Sequence, residues 1–257
     1  MKNFNKLILL ATFLLFINNH EGFAQTFFGL KAGANASNIK FDSDVYKKFY
    51  DTQITPGFTA GAIFLIENKE KYGLYAEFLY SRKGKVVNSH ANDYEKNAAN
   101  YQFMDFPVMF RMKFLQPKFA WYLQLGPQVS YWLSGKGAFD VYQPDRDIVV
   151  TYDYTINFDE PKGTSDYMNV EEANRTQLGL AIGGGLIWDM KNANYLAFDM
   201  RLTFGHTYMG GYESGSIPNI GLVDNFEYTN RVLSISAVYY FDIMEKLRLS
   251  KNKYRKK

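Results

Sequence analysis

Three observations predict an all-β fold, an eight-stranded antiparallel up-and-down transmembrane β-barrel with short periplasmic turns and long extracellular loops. Eight segments of about ten or more residues alternate apolar with polar or small side chains; the connections between them alternate long and short; and the chain opens on a secretory leader. Aromatic residues make up 18% of the sequence, yet after the leader no stretch reaches the roughly 18 consecutive apolar residues of a spanning helix. An aromatic excess without such a helix points to β structure.

The leader is read as residues 1–24, a cleavable signal peptide. Lys2 and Lys6 supply its positive start, Leu7 to Ile17 an apolar run broken only by Thr12, and Gly22-Phe23-Ala24 a small-x-small cleavage site before Gln25. The barrel domain is read as 25–242, followed by a basic periplasmic tail at 243–257. With no cysteine, the chain has neither a lipid-attachment site after the leader nor a disulfide.

The eight strands are placed at about 26–37, 56–66, 72–84, 102–114, 119–134, 176–189, 196–205 and 230–242. The fourth is the clearest. One parity reads Met104, Phe106, Val108, Phe110, Met112, Phe114; the other reads Phe103, Asp105, Pro107, Met109, Arg111, Lys113. The fifth alternates Trp121, Leu123, Leu125 and Val129 with Tyr122, Gln124, Gly126 and Gln128, and the seventh sets Leu196, Phe198, Met200 and Leu202 against Ala197, Asp199, Arg201 and Thr203. In the first, Leu30, Ala32 and Ala34 face Lys31, Gly33 and Asn35; in the third, Leu74, Ala76, Phe78 and Tyr80 oppose Tyr75, Glu77, Leu79 and Ser81. Leu233, Ile235, Ala237, Tyr239 and Phe241 form the outward row of the last. Proline donates no ladder bond, so local bulges are expected at Pro107 and Pro127.

Connections are long at 38–55, 85–101, 135–175 and 209–229 and short at 67–71, 115–118 and 190–194. An outer-membrane barrel with an even strand number produces this asymmetry; a soluble sandwich has no need of it. Net charge of +3 is too small to imply nucleic acid, and its distribution is uneven: 135–175 carries nine acids against four bases, and 242–257 seven bases against two acids.

Five stretches carry a likeness to a known family. Gly29-Leu30-Lys31-Ala32-Gly33-Ala34-Asn35-Ala36-Ser37-Asn38 resembles its opening strand, Ala76-Glu77-Phe78-Leu79-Tyr80-Ser81-Arg82-Lys83-Gly84 its E-x-x-Y-S-x-K-G strand end, and Asp105-Phe106-Pro107-Val108 its I-P-V/L strand. Gly126-Pro127-Gln128-Val129 and Tyr239-Tyr240-Phe241 are similar to its later strands. The family is the PorT-like outer membrane protein beta-barrel family, often called "porin". The resemblance implies an outer-membrane barrel and, through the family's namesake, a role in secretion. The matched motifs are structural, so no functional residue carries over, and the long third loop and basic tail depart from the shortest family pattern.

Two groups of residues stand out as candidate sites. Lys31, Glu77, Arg111, Asp199 and Arg201 share inward parity at one level, and charges removed from water must pair, so a lumen network of Glu77 and Asp199 with Arg111, Arg201 and Lys31 is expected. A structural plug is favoured over a gate or proton path, because small barrels fill their interiors with side chains. In the third loop, Ile148 to Phe158 is rich in β-branched and aromatic residues and should extend as a strand above the membrane. Tyr142, Tyr152, Tyr154 and Phe158 are the candidate contact face there, with a hairpin packed on its own rim as the alternative.

His206 continues an outward row near the extracellular end, but Thr207 and Tyr208 follow it, so the His-x-Ser arrangement of barrel lipases is missing. Asp145, Asp147 and Asp153 lack a calcium-binding frame and read as a solvated acidic loop. No metal and no cofactor is expected. The expected function is that of a non-enzymatic integral outer-membrane protein with a closed lumen, its partners being outer-membrane lipid and a protein or ligand met by the extracellular loops. A transport or secretion component is the second reading and a lipid-modifying enzyme the third.

Overall fold

The computed structural model describes residues 25–68, 71–90, 95–116, 119–143, 145–190 and 194–242. The signal peptide and the basic tail expected from the sequence lie outside them. One sheet holds β1 (Gln25–Phe41), β2 (Tyr50–Gln53), β3 (Thr55–Glu67), β4 (Tyr72–Ser89), β5 (Lys96–Leu115), β6 (Ala120–Gln143), β7 (Ile148–Asn157), β8 (Tyr167–Val170), β9 (Thr176–Met190), β10 (Asn194–Gly205), β11 (Gly215–Ile217), β12 (Leu222–Asp224) and β13 (Tyr228–Asp242), with a short helix α1 (Asp44–Phe49) between β1 and β2.

The sheet closes. Thr26 pairs with Ile66, Ile66 with Leu74, Leu74 with Phe110, Phe110 with Leu125, Leu125 with Ile182, Ile182 with Leu202 and Leu202 with Leu233, which meets β1 again at Ala36. The circuit therefore returns higher on β1 than it began, and that stagger tilts the strands as closure requires. It also abolishes free edges around the wall.

Along the circuit the alternation resolves into two faces. Leu30, Phe78, Phe110, Leu125, Ile182, Met200 and Ile235 point out and are exposed, while Lys31, Glu77, Arg111, Gln124, Asp199 and Ser236 point in and are buried. Phe58, Tyr80, Tyr131 and Phe204 end the apolar band above, and Tyr72, Trp188 and Phe119 below. Outward burial is supplied by lipid, so the pattern is the inverse of a soluble sheet.

The structure corrects the sequence reading in three ways. Among the described residues the sheet has thirteen strands where eight were expected, and five of them (β2, β7, β8, β11, β12) lie in the segments 38–55, 135–175 and 209–229 read as loops. The segment 85–101 is mostly strand too, since β4 runs on to Ser89 and β5 starts at Lys96. Alternation persists there, but with its polarity inverted once the strands leave the lipid. Third, the register is the same on both sides of Pro107 and Pro127, and the irregularity falls instead between Gln102 and Phe103.

Two cores fill the interior. The lower one gathers Phe27, Ile63, Leu65, Tyr75, Met109, Tyr122, Ile187, Val238 and Tyr240. The upper one gathers Tyr101, Phe103 and Trp132 from the wall with Tyr154, Met168, Met209, Ile217 and Phe226 from the connections. The connections thus fold over the mouth as a cap.

Candidate functional site

The lumen charges meet at one level, as alternate inward positions of neighbouring staggered strands must. Lys31 Nζ donates to Glu77 Oε1 at 2.9 Å and Asp199 Oδ1 at 2.7 Å. Arg201 donates to Glu77 through both terminal nitrogens, at 2.5 and 2.8 Å, the fork geometry of a bidentate pair. Asp199 also accepts from Tyr122 Oη at 2.9 Å and Gln124 Nε2 at 2.6 Å. Every carboxylate oxygen of this layer is engaged, which offsets the loss of hydration.

Arg111 is brought to the layer but not to a carboxylate. Its guanidinium lies between the rings of Tyr75 and Tyr122, 4.1 and 4.0 Å from their centroids, donates to Tyr240 Oη and to Gln124 Oε1 at 3.0 Å each, and reaches Asp199 only through Gln124. Sequence parity puts Arg111 at the right height but cannot reveal that aromatic faces replace the expected acid. Gly185 makes room for this cage: a Cβ there would collide with the Tyr122 hydroxyl and the Phe198 carbonyl.

Above lies a second ion pair, Lys83 to Asp105 at 2.7 Å, with Ser130 donating to Asp105 at 2.5 Å. A third joins wall to cap: Lys85 Nζ contacts Asp224 Oδ2 at 2.5 Å and stands over the rings of Phe226 and Tyr228. Asn97 extends it, donating to Asp224 and accepting from Tyr154 Oη at 2.6 Å. Below, Lys113 pairs with Glu67 at the end of the wall where the short turns lie. None of these six ion-paired residues outside the main layer (Lys83, Asp105, Lys85, Asp224, Lys113 and Glu67) was singled out as a site from sequence, although Lys83, Asp105 and Lys113 share its inward parity.

The four loop aromatics do not form one exposed face. Tyr154 is only 3% exposed, its ring seated over Gly137, and Phe158 packs edge-on against Trp132 at 4.7 Å with Arg175 on its other side. Both belong to the cap because inward parity continues up β7 from the wall. Tyr142 and Tyr152 are half-buried on opposite faces of the β6–β7 hairpin, Tyr142 donating to Asp147 at 2.7 Å. Ile148 to Asn157 does extend as a strand, paired from Ile148 to Thr155 with the end of β6.

His206 sits exposed at the end of the outward row of β10, and the hydroxyl of neighbouring Thr207 accepts the Leu178 amide at 2.9 Å. Beside the first long connection both nitrogens of His90 face acceptors, Nε2 at 2.8 Å from Asp51 and Nδ1 at 2.8 Å from the Lys48 carbonyl. The Asp51 carboxylate, then the Lys48 carbonyl, raise the imidazole above its ordinary value. Among the described residues no cluster of three His, Asp or Glu side chains could hold a metal ion.

Residues 23–207 match the protein family described as "Outer membrane protein beta-barrel domain". Similar solved structures include the outer membrane protein OprG of Pseudomonas aeruginosa, at 12% identity over 86% of this chain and 96% of that one, with a TM-score of 0.44. The attachment invasion locus protein Ail of Yersinia pestis is 13% identical over 84% of this chain and 99% of that one, TM-score 0.36. The outer membrane protease OmpT of Escherichia coli is 9% identical over 84% and 96%, TM-score 0.39. At these values the likenesses say nothing of activity. No curated protein matches the chain.

Proposed function

Because this chain belongs to the outer membrane protein beta-barrel domain family, and so to the cell outer membrane, we propose that it is a closed, non-enzymatic barrel of eight spanning strands that works through its extracellular face. The eight are β1, β3, β4, β5, β6, β9, β10 and β13, the members of the closed pairing circuit; export through the signal peptide at 1–24 belongs to the same reading.

The observation that carries it is the filled interior. Lys31, Glu77, Arg201, Asp199 and the caged Arg111 span the lumen at one level, Lys83 and Asp105 lie above, and the upper core roofs both. An eight-stranded wall encloses just enough space for side chains, whereas water-filled porins use about 16 to 18 strands. Single-channel recording of the refolded protein in a planar bilayer tests this. Silence is expected, and steady nanosiemens-scale openings would overturn both the closed lumen and the strand count.

A transport or secretion role is the second reading, favoured by the five PorT-like motifs. All five fall on wall strands β1, β4, β5, β6 and β13, where they support the barrel and leave the task open. A lipid-modifying enzyme is the third; unchanged lipid A in a deletion strain would remove it.

A further inference from the structure

Above the lipid band one side of the wall continues upward as a sheet, with β4, β5, β6 and β7 paired in that order. β7 is its last member there. Among the described residues its far side meets another strand only at Thr155, Ile156 and Asn157, which pair with β8. From Ile148 to Tyr154 that edge carries no strand.

The direction of the edge groups follows from one hydrogen bond. The Thr155 amide donates away from β6, to the Asp166 carbonyl at 2.8 Å. Alternate residues of a strand turn N–H and C=O to the same side, so Val149, Thr151 and Asp153 point both groups outward, while Ile148, Val150, Tyr152 and Tyr154 give theirs to β6. The devices that normally blunt an edge are missing: Ile148 to Tyr154 holds no lysine and no proline.

The two faces beside this edge differ in chemistry. Val149, Thr151 and Asp153 share a face with their cross-strand partners Tyr142, Asp140 and Ala138; Asp140 has Lys96 across from it on β5, so Asp153, opposite Ala138, is the carboxylate that stands at the open edge. Ile148, Val150 and Tyr152 share the other with Gln143, Val141 and Phe139, which is mostly apolar. We propose that the outer edge of β7, Val149 to Asp153, takes an extended polypeptide segment of a partner as an added antiparallel strand. The segment carries a basic residue on the side that meets Asp153 and apolar residues on the side that continues Val150 and Tyr152. A second copy of this chain fits less well, since it would bring the same carboxylate to both sides of the edge. The inference rests on the reading that the extracellular face is the working part.

The test uses the full chain refolded in lipid nanodiscs and a ten-residue peptide of alternating valine and lysine, with an alternating valine and glutamate peptide as comparison. The Val/Lys peptide should bind and show strand-like amide infrared bands. Thr151→Pro removes an outward N–H while sparing the β6 ladder, so the barrel should fold and binding should weaken by about tenfold or more. Val149→Pro acts on the same edge and replaces it if Thr151→Pro misfolds. Asp153→Lys should shift preference toward the Val/Glu peptide. Unchanged binding in both proline variants, equal binding of the two peptides, or no binding at all would overturn the proposal. A silent bilayer recording alongside any of these would leave the closed barrel standing, so the two failures are separable.

Discussion

β5 obeys opposite rules along its two halves. From Phe103 to Phe114 its apolar residues, Met104, Phe106, Val108 and Phe110, point out, and Asp105 and Arg111 point in. From Lys96 to Gln102 the polarity is reversed, with Lys96, Asn100 and Gln102 outside and Ala99 and Tyr101 inside. β4 changes in the same way, from outward Phe78 and Tyr80 to outward Arg82 and Asn88 with Val87 buried. The lower half adds to its own apolar core a level of polar groups that satisfy one another, because its outer side already rests in lipid. The upper half stands in water and is sealed by the hydrophobic effect. Where the inversion occurs, the membrane ends.

The largest expected effect tests the lower seal. Glu77→Ala leaves Arg201 without its bidentate partner and Lys31 with Asp199 alone, and should cost about 3 to 5 kcal/mol if the layer is dry. Urea unfolding in lipid vesicles measures it, and a loss below 1 kcal/mol would mean that water reaches the layer.

The upper seal should fail differently. Phe226 is fully buried between Trp132, Tyr228 and Lys85, and Phe226→Ala should cost about 3 to 5 kcal/mol of cap stability. Hydrogen exchange should then rise in β11, β12 and β8 while the spanning strands stay protected. Uniform loss of protection would make wall and cap one cooperative unit.

A third experiment locates the boundary between the halves. Phe110→Arg puts a cation into lipid and should cost about 2 to 4 kcal/mol, whereas Asn100→Arg, on the same face but above the band, should be near neutral. Equal costs would displace the boundary. Gln124 is no neutral lumen control, because it bridges Arg111 and Asp199.

The smallest effect belongs to the first long connection. Because the folded state raises His90 above its ordinary 6.5, its tethers to Asp51 and Lys48 are fully present below that value and are lost as pH rises through the raised one. Relative to the intrinsic base-catalysed rate, protection of amides between 44 and 53 should fall across that window and stay constant in His90→Gln; a wild-type protection factor without pH dependence contradicts the tether.

Much of this was legible in the sequence. Alternation along β5, β6 and β10 gave the lipid face, and shared parity gathered Lys31, Glu77, Asp199 and Arg201. The cage around Arg111 was not legible, since a ring face and a carboxylate leave the same parity signature. Nor was the upper strand of the wall: at 85–101 the alternation persists with its polarity inverted, which reads as loop when only one polarity is sought. For Tyr154 the sequence left two readings open, a contact face or a hairpin packed on its own rim, and its burial agrees with the second. The Lys85 to Asp224 pair joins positions 139 apart, and no local pattern announces such a contact.

The stagger that returns the circuit to Ala36 has a kinetic consequence. Lys31 lies on the first wall strand and Asp199 on the penultimate one, 168 positions apart, so their contact forms only when the two ends of the wall come together. Until then the ionic partner of Lys31 is Glu77 alone, and that of Asp199 is Arg201 on its own strand, beside the hydrogen bonds it accepts from Tyr122 and Gln124. Closing so long a span is slow in a chain dominated by non-local pairing, and the charges make partial sheets poor company for lipid. Insertion and closure should therefore be one event: time-resolved refolding should show lipid-protected Phe110 and protection of the β1–β13 ladder arising at a single rate. A lag between them would mean that an open sheet waits in the bilayer with its charges unmatched.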